Sequence, residues 1–338
     1  MQKPFIASFA LFAIASMAFA QGPKETAVTG ATRKTYVVGI SKMMSHPALD
    51  AIEQGIMDYL ATTDLSITYD RQNCNGDVST AISIAQKFKD SKCDAVVGIA
   101  TPPAQALATT FKDIPVVFSG VTDPLSAGLI ADYDHQTETN VCGASDKSPQ
   151  KEQLEMFFKA TNIKTMGMVY TASEANGVYQ MEVAKQVCEA NGITFVGAAV
   201  QNSSEVKMAA QSIIDRVDGM YVAIDNTVVS AIASVDDVCY QAKKPLFNSD
   251  TTSSEGTRFF MSSSFNYYNH GYESGKIVER VLRGENPKDI GAIFFTDMKL
   301  MDLIFNLDSA SYLGIEIPAD LLAQANYVVK DGKTQANR

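Results

Sequence analysis

No glycine-rich phosphate loop follows any apolar run of this chain, and it contains no Cys-x-x-Cys, His-x-x-x-His or Gly-x-Ser-x-Gly pattern. Those absences remove the usual grounds for a nucleotide site, a zinc or redox centre and a nucleophile elbow. Histidine is scarce, with three residues at 46, 135 and 270. Basic clusters are missing too: 28 Lys and Arg stand against 38 Asp and Glu, a formal net charge of −10. An acidic chain without a basic patch is a poor partner for nucleic acid or an anionic membrane, and its charge serves solubility. Beyond the N-terminus no stretch approaches the roughly 18 uninterrupted apolar residues of a membrane helix.

The N-terminus is read as a secretory signal over residues 1–20: Lys3, an apolar stretch over 5–19, and the small-x-small triplet Ala18-Phe19-Ala20. Residues 21–34 are polar and are expected to be a disordered lead-in. No cysteine lies near the expected cleavage point, which argues against a lipid anchor. Five cysteines, at 74, 93, 142, 188 and 239, match no metal spacing. An odd count in an exported protein leaves room for one disulfide, and Cys74–Cys93 is the least objectionable pair. Cys188 and Cys239 fall on apolar helix faces, as small buried hydrophobes do.

What is present repeats. Six times a run of strand character stops at a small polar cluster suited to opening a helix. Residues 37–40 lead to Ser45-His46-Pro47, 95–100 to Thr101-Pro102-Pro103, and 115–118 to Thr122-Asp123-Pro124. Residues 166–170 lead to Ser173-Glu174-Ala175-Asn176, 220–224 to Asp225-Asn226-Thr227, and 245–247 to Ser249-Asp250-Thr251. Helical spacing predicts helices at 47–61, 78–88, 104–111, 177–190, 206–214, 228–241 and 267–282. Short strands are expected at 65–70, 194–199, 259–261, 292–295 and 303–306. The alternation runs to about Gly143 and restarts at Ser148-Pro149. Strands joined by helical crossovers predict an α/β protein of two doubly wound parallel-sheet lobes.

Open parallel sheets bind ligands just beyond the carboxyl ends of their strands, where helix N-termini gather. The strand-end residues here are hydroxyls, amides and carboxylates, which suit a small polar organic molecule. Thr101, Ser119 and Thr122 fit an anionic group, and Asp123, Glu174 and Asp225 a cationic one. Thr101 and Asn226 read equally well as helix caps, and His46 as a cap or a ligand contact. Asp225-Asn226-Thr227 offers more acceptors than one helix start needs. Asp123, Glu174, Asp225 and Asp250 could pair as acid and base in a glycosidase. Without a nucleophile or metal triad, binding is the expectation, with no catalysis, cofactor or metal. His270 is expected to be structural and His135 solvated.

Five motifs in order carry a family resemblance: Ser45-His46-Pro47-Ala48-Leu49-Asp50, Ala100-Thr101-Pro102-Pro103-Ala104-Gln105, Val121-Thr122-Asp123-Pro124, Ser173-Glu174-Ala175-Asn176 and Asp225-Asn226-Thr227-Val228. With Asn140-Val141-Cys142-Gly143 before Ser145-Asp146, they resemble the ABC-transporter substrate-binding proteins that include tryptophan/tyrosine-binding members. The resemblance spans roughly residues 35–330. It implies a type I periplasmic binding fold: two lobes, a hinge and an interlobe cleft. The first lobe would comprise 35–145 plus 255–290, the second 148–250 plus 291–335. It further implies an amino-acid-like solute as ligand and a permease and an ATPase at the inner membrane as partners; the leader without a lipid-attachment cysteine points to the periplasm, and a monomer is expected. The contact set it implies, together with strand-end position, is Thr101, Gln105, Thr122, Asp123, Glu174, Asn176, Asp225, Asn226 and Asp250. Phe118, Tyr170 and Tyr221 stand as either core or the wall of the ligand's side-chain pocket. Two departures concern Cys142, in place of a small hydroxyl residue, and Gly177, where serine is usual. A sensory ligand-binding subunit and a secreted two-domain hydrolase are the alternatives.

Overall fold

The computed structural model describes residues 34–134, 139–252, 256–295 and 301–337. The expected leader 1–20, the lead-in up to residue 33 and His135 lie outside the described residues. The first sheet has the order β11-β5-β4-β3-β1-β2. Its strands are β1 (Thr35–Lys42), β2 (Ser66–Asn73), β3 (Ala95–Ile99), β4 (Val116–Ser119), β5 (Val141–Ser145) and β11 (Ala292–Phe294). All of its pairings are parallel. Three helices connect the early strands: α1 (Pro47–Ala61), α2 (Val78–Asp90) and α3 (Thr101–Thr110). β3 is buried along its whole length, as a strand covered on both faces must be.

The chain then leaves for a second sheet, ordered β14-β13-β12-β10-β9-β8-β6-β7. Its strands are β6 (Thr165–Thr171), β7 (Thr194–Val200), β8 (Gly219–Val222), β9 (Leu246–Asn248), β10 (Met261–Phe265), β12 (Met301–Asn306), β13 (Tyr327–Lys330) and β14 (Lys333–Ala336). The flanking helices are α4 (Gln150–Thr161), α5 (Ala175–Ala190), α6 (Val206–Ile213), α7 (Asn226–Ser230) and α8 (Ile232–Gln241). Alternation along β8 sends Tyr221 to one face of the sheet, with Phe157 and Phe247, and Met220 and Val222 to the other, with Val235 and Ile213. α9 (Tyr267–Leu282) and α10 (Pro287–Ile290) belong to the first lobe, and α11 (Leu307–Leu313) and α12 (Ala319–Leu322) close the second.

The lobe crossings differ from the expectation in two places. Residues 256–265 do not return to the first lobe, because β10 pairs with β9 and β12 in the second sheet. Residues 291–294 do not belong to the second, because β11 pairs with β5. The reason is local. The middle of β10 is Ser262-Ser263-Ser264, fully buried by hydrogen bonding rather than apolarity, as when Gln153 Nε2 donates to Ser263 Oγ at 3.3 Å. A polar triplet does not read as a core strand, and a three-residue strand carries no sign of which sheet it joins. The predicted helix at 228–241 is also two helices, broken at Ala231.

All five cysteines are free and buried. Cys74 follows the end of β2, with its Sγ 3.4 Å from Ser41 Oγ, whereas Cys93 precedes β3. The two lie toward opposite ends of parallel strands, so the Cys74–Cys93 pair does not form. Among the described residues no helix is long and apolar enough to cross a membrane.

Candidate functional site

The carboxyl ends of the two sheets meet across one narrow gap of about 340 Å³, mouth included. The first lobe lines it with His46, Ala48 and Leu49 at the start of α1, Gly120 and Thr122 after β4, and Asp146 after β5. Tyr267 joins them at the first turn of α9. The second lobe supplies Asn176 from α5, Ile224, Asp225, Asn226 and Val229 around α7, and Asp250 after β9.

Four buried polar atoms in this gap lack a hydrogen-bond partner: both ring nitrogens of His46, Oδ1 of Asp146 and Oδ1 of Asn176. Buried polar groups are nearly always paired, so this cluster marks a place built for something else to complete. Its chemistry is mixed. Asp146 and Asn176 offer acceptors; His46 offers a ring N–H. α1 adds donors. Its N-cap His46 makes no side-chain cap, Pro47 has no N–H, and Asp50 N–H is the first to find an acceptor, His46 O. The Ala48 and Leu49 amides therefore end at the gap without intrahelical acceptors.

The surroundings hold these groups in place. Lys42 bridges Asp50 at 2.5 Å and Glu53 at 2.6 Å, and Ser45 Oγ donates to Asp50, which anchors the turn that presents His46. Burial pushes the Asp146 carboxyl up to about 6, against the pull of the Thr122 and Tyr267 hydroxyls beside it. Burial lowers the His46 pKa, opposed by the negative charge of Asp250 across the gap. Behind Asn226, burial and then the neighbouring Asp225 charge raise Glu174 to about 7. Asp225 is itself raised by burial.

Six of the sequence-predicted residues line the gap: His46, Thr122, Asn176, Asp225, Asn226 and Asp250. Asp225 arrives already occupied. It accepts from Thr171 N–H and Oγ1, both at 2.7 Å, and from Val228 N–H as the N-cap of α7. The remaining five do not line it. Thr101 is the first residue of α3 rather than its cap; the N-cap is Ala100, at φ 78°, and Thr101 is enclosed in the first lobe. Gln105 donates to Ala127 O, and Ser119 pairs with Ser274 of α9 at 2.7 Å. Asp123 is neutralised by Lys147 at 2.8 Å and accepts a hydrogen bond from the Tyr133 hydroxyl at 2.6 Å. Glu174 lies one layer back, accepting from Asn226 at 2.6 Å and Thr227 at 2.8 Å, and so orients Asn226.

Asp146 and Tyr267 were not among the residues singled out from sequence. Asp146 directly follows β5, a strand that the sequence alternation does not include, so its strand-end position carried no signal. Phe118 and Tyr221 are core residues, and Tyr170 packs against the core of the second lobe; none lines the gap. Cys142 is fully buried within β5, and that departure does not reach the gap. Gly177 has a packing cause: a Cβ there would lie 2.7 Å from both Asp225 Oδ2 and Thr171 O. Among the described residues no group of three His, Cys, Asp or Glu is placed to hold a metal ion.

Two α/β lobes of mainly parallel sheet, with polar strand ends converging on a shared gap, define the ligand-binding architecture of type I periplasmic binding proteins. The chain belongs to the ABC transporter substrate binding protein family, whose sequence model matches residues 37–329. It is 32% identical over 291 residues to a protein named tyrosine-binding protein from Clostridioides difficile (strain R20291), covering 84% of this chain and 83% of that one. The crystal structure of an ABC domain in complex with L-Trp from Streptococcus pneumonia superposes with a TM-score of 0.82 at 34% identity, covering 88% of this chain and all of that one. The ligand-free, open structure of a substrate-binding protein with adhesive properties from Clostridium difficile gives a TM-score of 0.62 at 32% identity, covering 84% and 97%.

Proposed function

We propose that this chain is the periplasmic receptor of an ABC importer. It captures a free α-amino acid between its lobes and delivers it intact to a permease and ATPase. The observation that carries the reading is the set of four unpartnered buried atoms in the gap. An ammonium group fits Asp146 Oδ1 and Asn176 Oδ1, as a charge-assisted pair plus a neutral acceptor. A carboxylate fits the Ala48 and Leu49 amides and the His46 ring, where the α1 dipole favours negative charge. L-Tryptophan and L-tyrosine are the first ligands to test, because relatives are named for tyrosine binding or hold L-Trp. Ile224, Val229 and Tyr267 offer apolar surface beside the polar head. Closure as the mechanism is supported by the better match to the L-Trp complex than to the open relative at similar identity. A ligand bridging both lobes selects the closed form by its differential affinity for it.

Calorimetry against the twenty amino acids tests this directly. An α-amino acid should bind at about 1 μM or tighter, roughly −8 kcal/mol. Its decarboxylated and deaminated analogues should each bind far more weakly, and mass spectrometry should recover the ligand unchanged. No binding by any amino acid, or conversion of one, would overturn the reading.

Acidification should weaken binding. The charged Asp146 carboxylate is the form that holds an ammonium, and its raised pKa of about 6 means that it protonates at mild acidity. From about pH 8 to pH 5 the affinity should drop roughly tenfold, with protons released on binding. Because the folded state holds that proton more tightly than the unfolded chain, Asp146's own contribution to ligand-free stability should move the other way. It rises as pH falls from about 6 toward the ordinary carboxylate range. Titrations across this pH range in two buffers of different ionisation heat check the binding sign, and melting of the ligand-free chain over the same range checks the stability sign; a flat affinity and no buffer dependence would exclude Asp146 from the contact.

A further inference from the structure

One charged side chain at the edge of the cleft is bound from both lobes at once, and no ligand contact explains it. Lys147 lies on the crossover between β5 and α4. Its ammonium donates to Asp123 Oδ2 at 2.8 Å and to the Tyr133 hydroxyl at 3.2 Å, both in the first lobe. It also stands over two rings: Tyr133 at 4.4 Å, and Tyr179 of α5, in the second lobe, at 5.1 Å. The first-lobe side is rigid. Asp123 is almost fully buried and is further fixed by Ser126 N–H at 2.7 Å and Tyr133 at 2.6 Å. The Tyr179 contact comes instead from the second lobe, where its ring faces the ammonium and its hydroxyl stands within hydrogen-bonding reach of it. Neither Lys147 nor Tyr179 lines the gap.

We propose that Lys147 and Tyr179 form an interlobe latch that sets how readily the receptor opens and releases its ligand. The inference rests on the reading that the two lobes open and close about the gap. A contact made only when the lobes are together shifts the population toward the closed form. It thereby tightens apparent affinity and slows release without touching the ligand. Such a latch would let the protein tune residence time independently of specificity.

Tyr179→Ala tests it, since it removes the second-lobe half and leaves the buried Asp123–Lys147 pair intact. With L-tryptophan as probe in stopped-flow fluorescence, dissociation should accelerate about 2- to 30-fold, the range expected for a lost cation–π contact. Small-angle scattering of the ligand-free variant should give a larger radius of gyration than the unaltered chain. Release and scattering both at wild-type values, in a variant of unchanged melting temperature, would overturn the latch. Should no amino acid bind at all, the functional reading fails, and the ligand-free scattering alone decides the latch.

Discussion

Asp146→Asn should remove most of the affinity for an ammonium-bearing ligand while leaving the fold at least as stable. Losing one partner of a desolvated charge pair costs about 2–5 kcal/mol, or roughly 30- to 5,000-fold in affinity. Stability should respond in the opposite sense. In the ligand-free chain the carboxylate is buried with Oδ1 unpartnered, and its pKa stands at about 6. Keeping it ionised at neutral pH therefore works against folding, by an amount on the order of 3 kcal/mol. An amide of the same shape relieves that penalty. Calorimetry and thermal melting read the two effects separately. Binding within about threefold of the unaltered protein would take Asp146 out of the site. Asp225→Asn makes the useful contrast: its carboxylate accepts three hydrogen bonds within its own lobe, so that substitution should act chiefly on stability.

The alternation of strands and helices was legible because its cues are local: β3 is a continuous apolar run, and α1 repeats its buried residues at helical spacing. The contents of the gap were legible in part, for a related reason. His46, Thr122, Asn176, Asp225, Asn226 and Asp250 all follow strand ends, where any doubly wound sheet concentrates its polar groups. Which strand ends face the other lobe is not local information. Ser119 ends a strand as well, but its hydroxyl turns to Ser274 on a helix 155 residues further along the chain. Asp123 stands in a motif with every mark of a cation site, yet Lys147, 24 residues later, already occupies it. Asp146 closes the strand Val-Cys-Gly-Ala-Ser, too poor in strong strand formers to read as anything but a linker. Tyr267 opens an amphipathic helix and reads as core. Both become visible only once α9 crosses back and places its first turn against the end of β5.

That crossing depends on the close packing of α9 against α1, and Gly271→Ala should break it. α1 and α9 pack backbone against backbone. A Cβ at Gly271 would lie 2.1 Å from Ile52 O, and one at Gly55 would lie 2.2 Å from Tyr268 O. Helix propensity alone would favour alanine by about 1 kcal/mol. Here a rigid backbone oxygen occupies the space, and a helix pair must separate to admit the methyl group. The expected net loss is about 3 kcal/mol or more, at the upper end for an overpacked core. Asn269→Ala, exposed on the same helix, should change stability little, and Gly55→Ala should not add to Gly271→Ala in full because the two share one interface. The consequence extends to the gap. α1 presents His46 with the Ala48 and Leu49 amides, and α9 presents Tyr267 beside Asp146. Separating the helices displaces both sides of the ligand's polar head, so Gly271→Ala should weaken binding as well as lower the melting temperature. A variant that melts early but binds with unchanged affinity would show that the two helices support the fold without setting the geometry of the site.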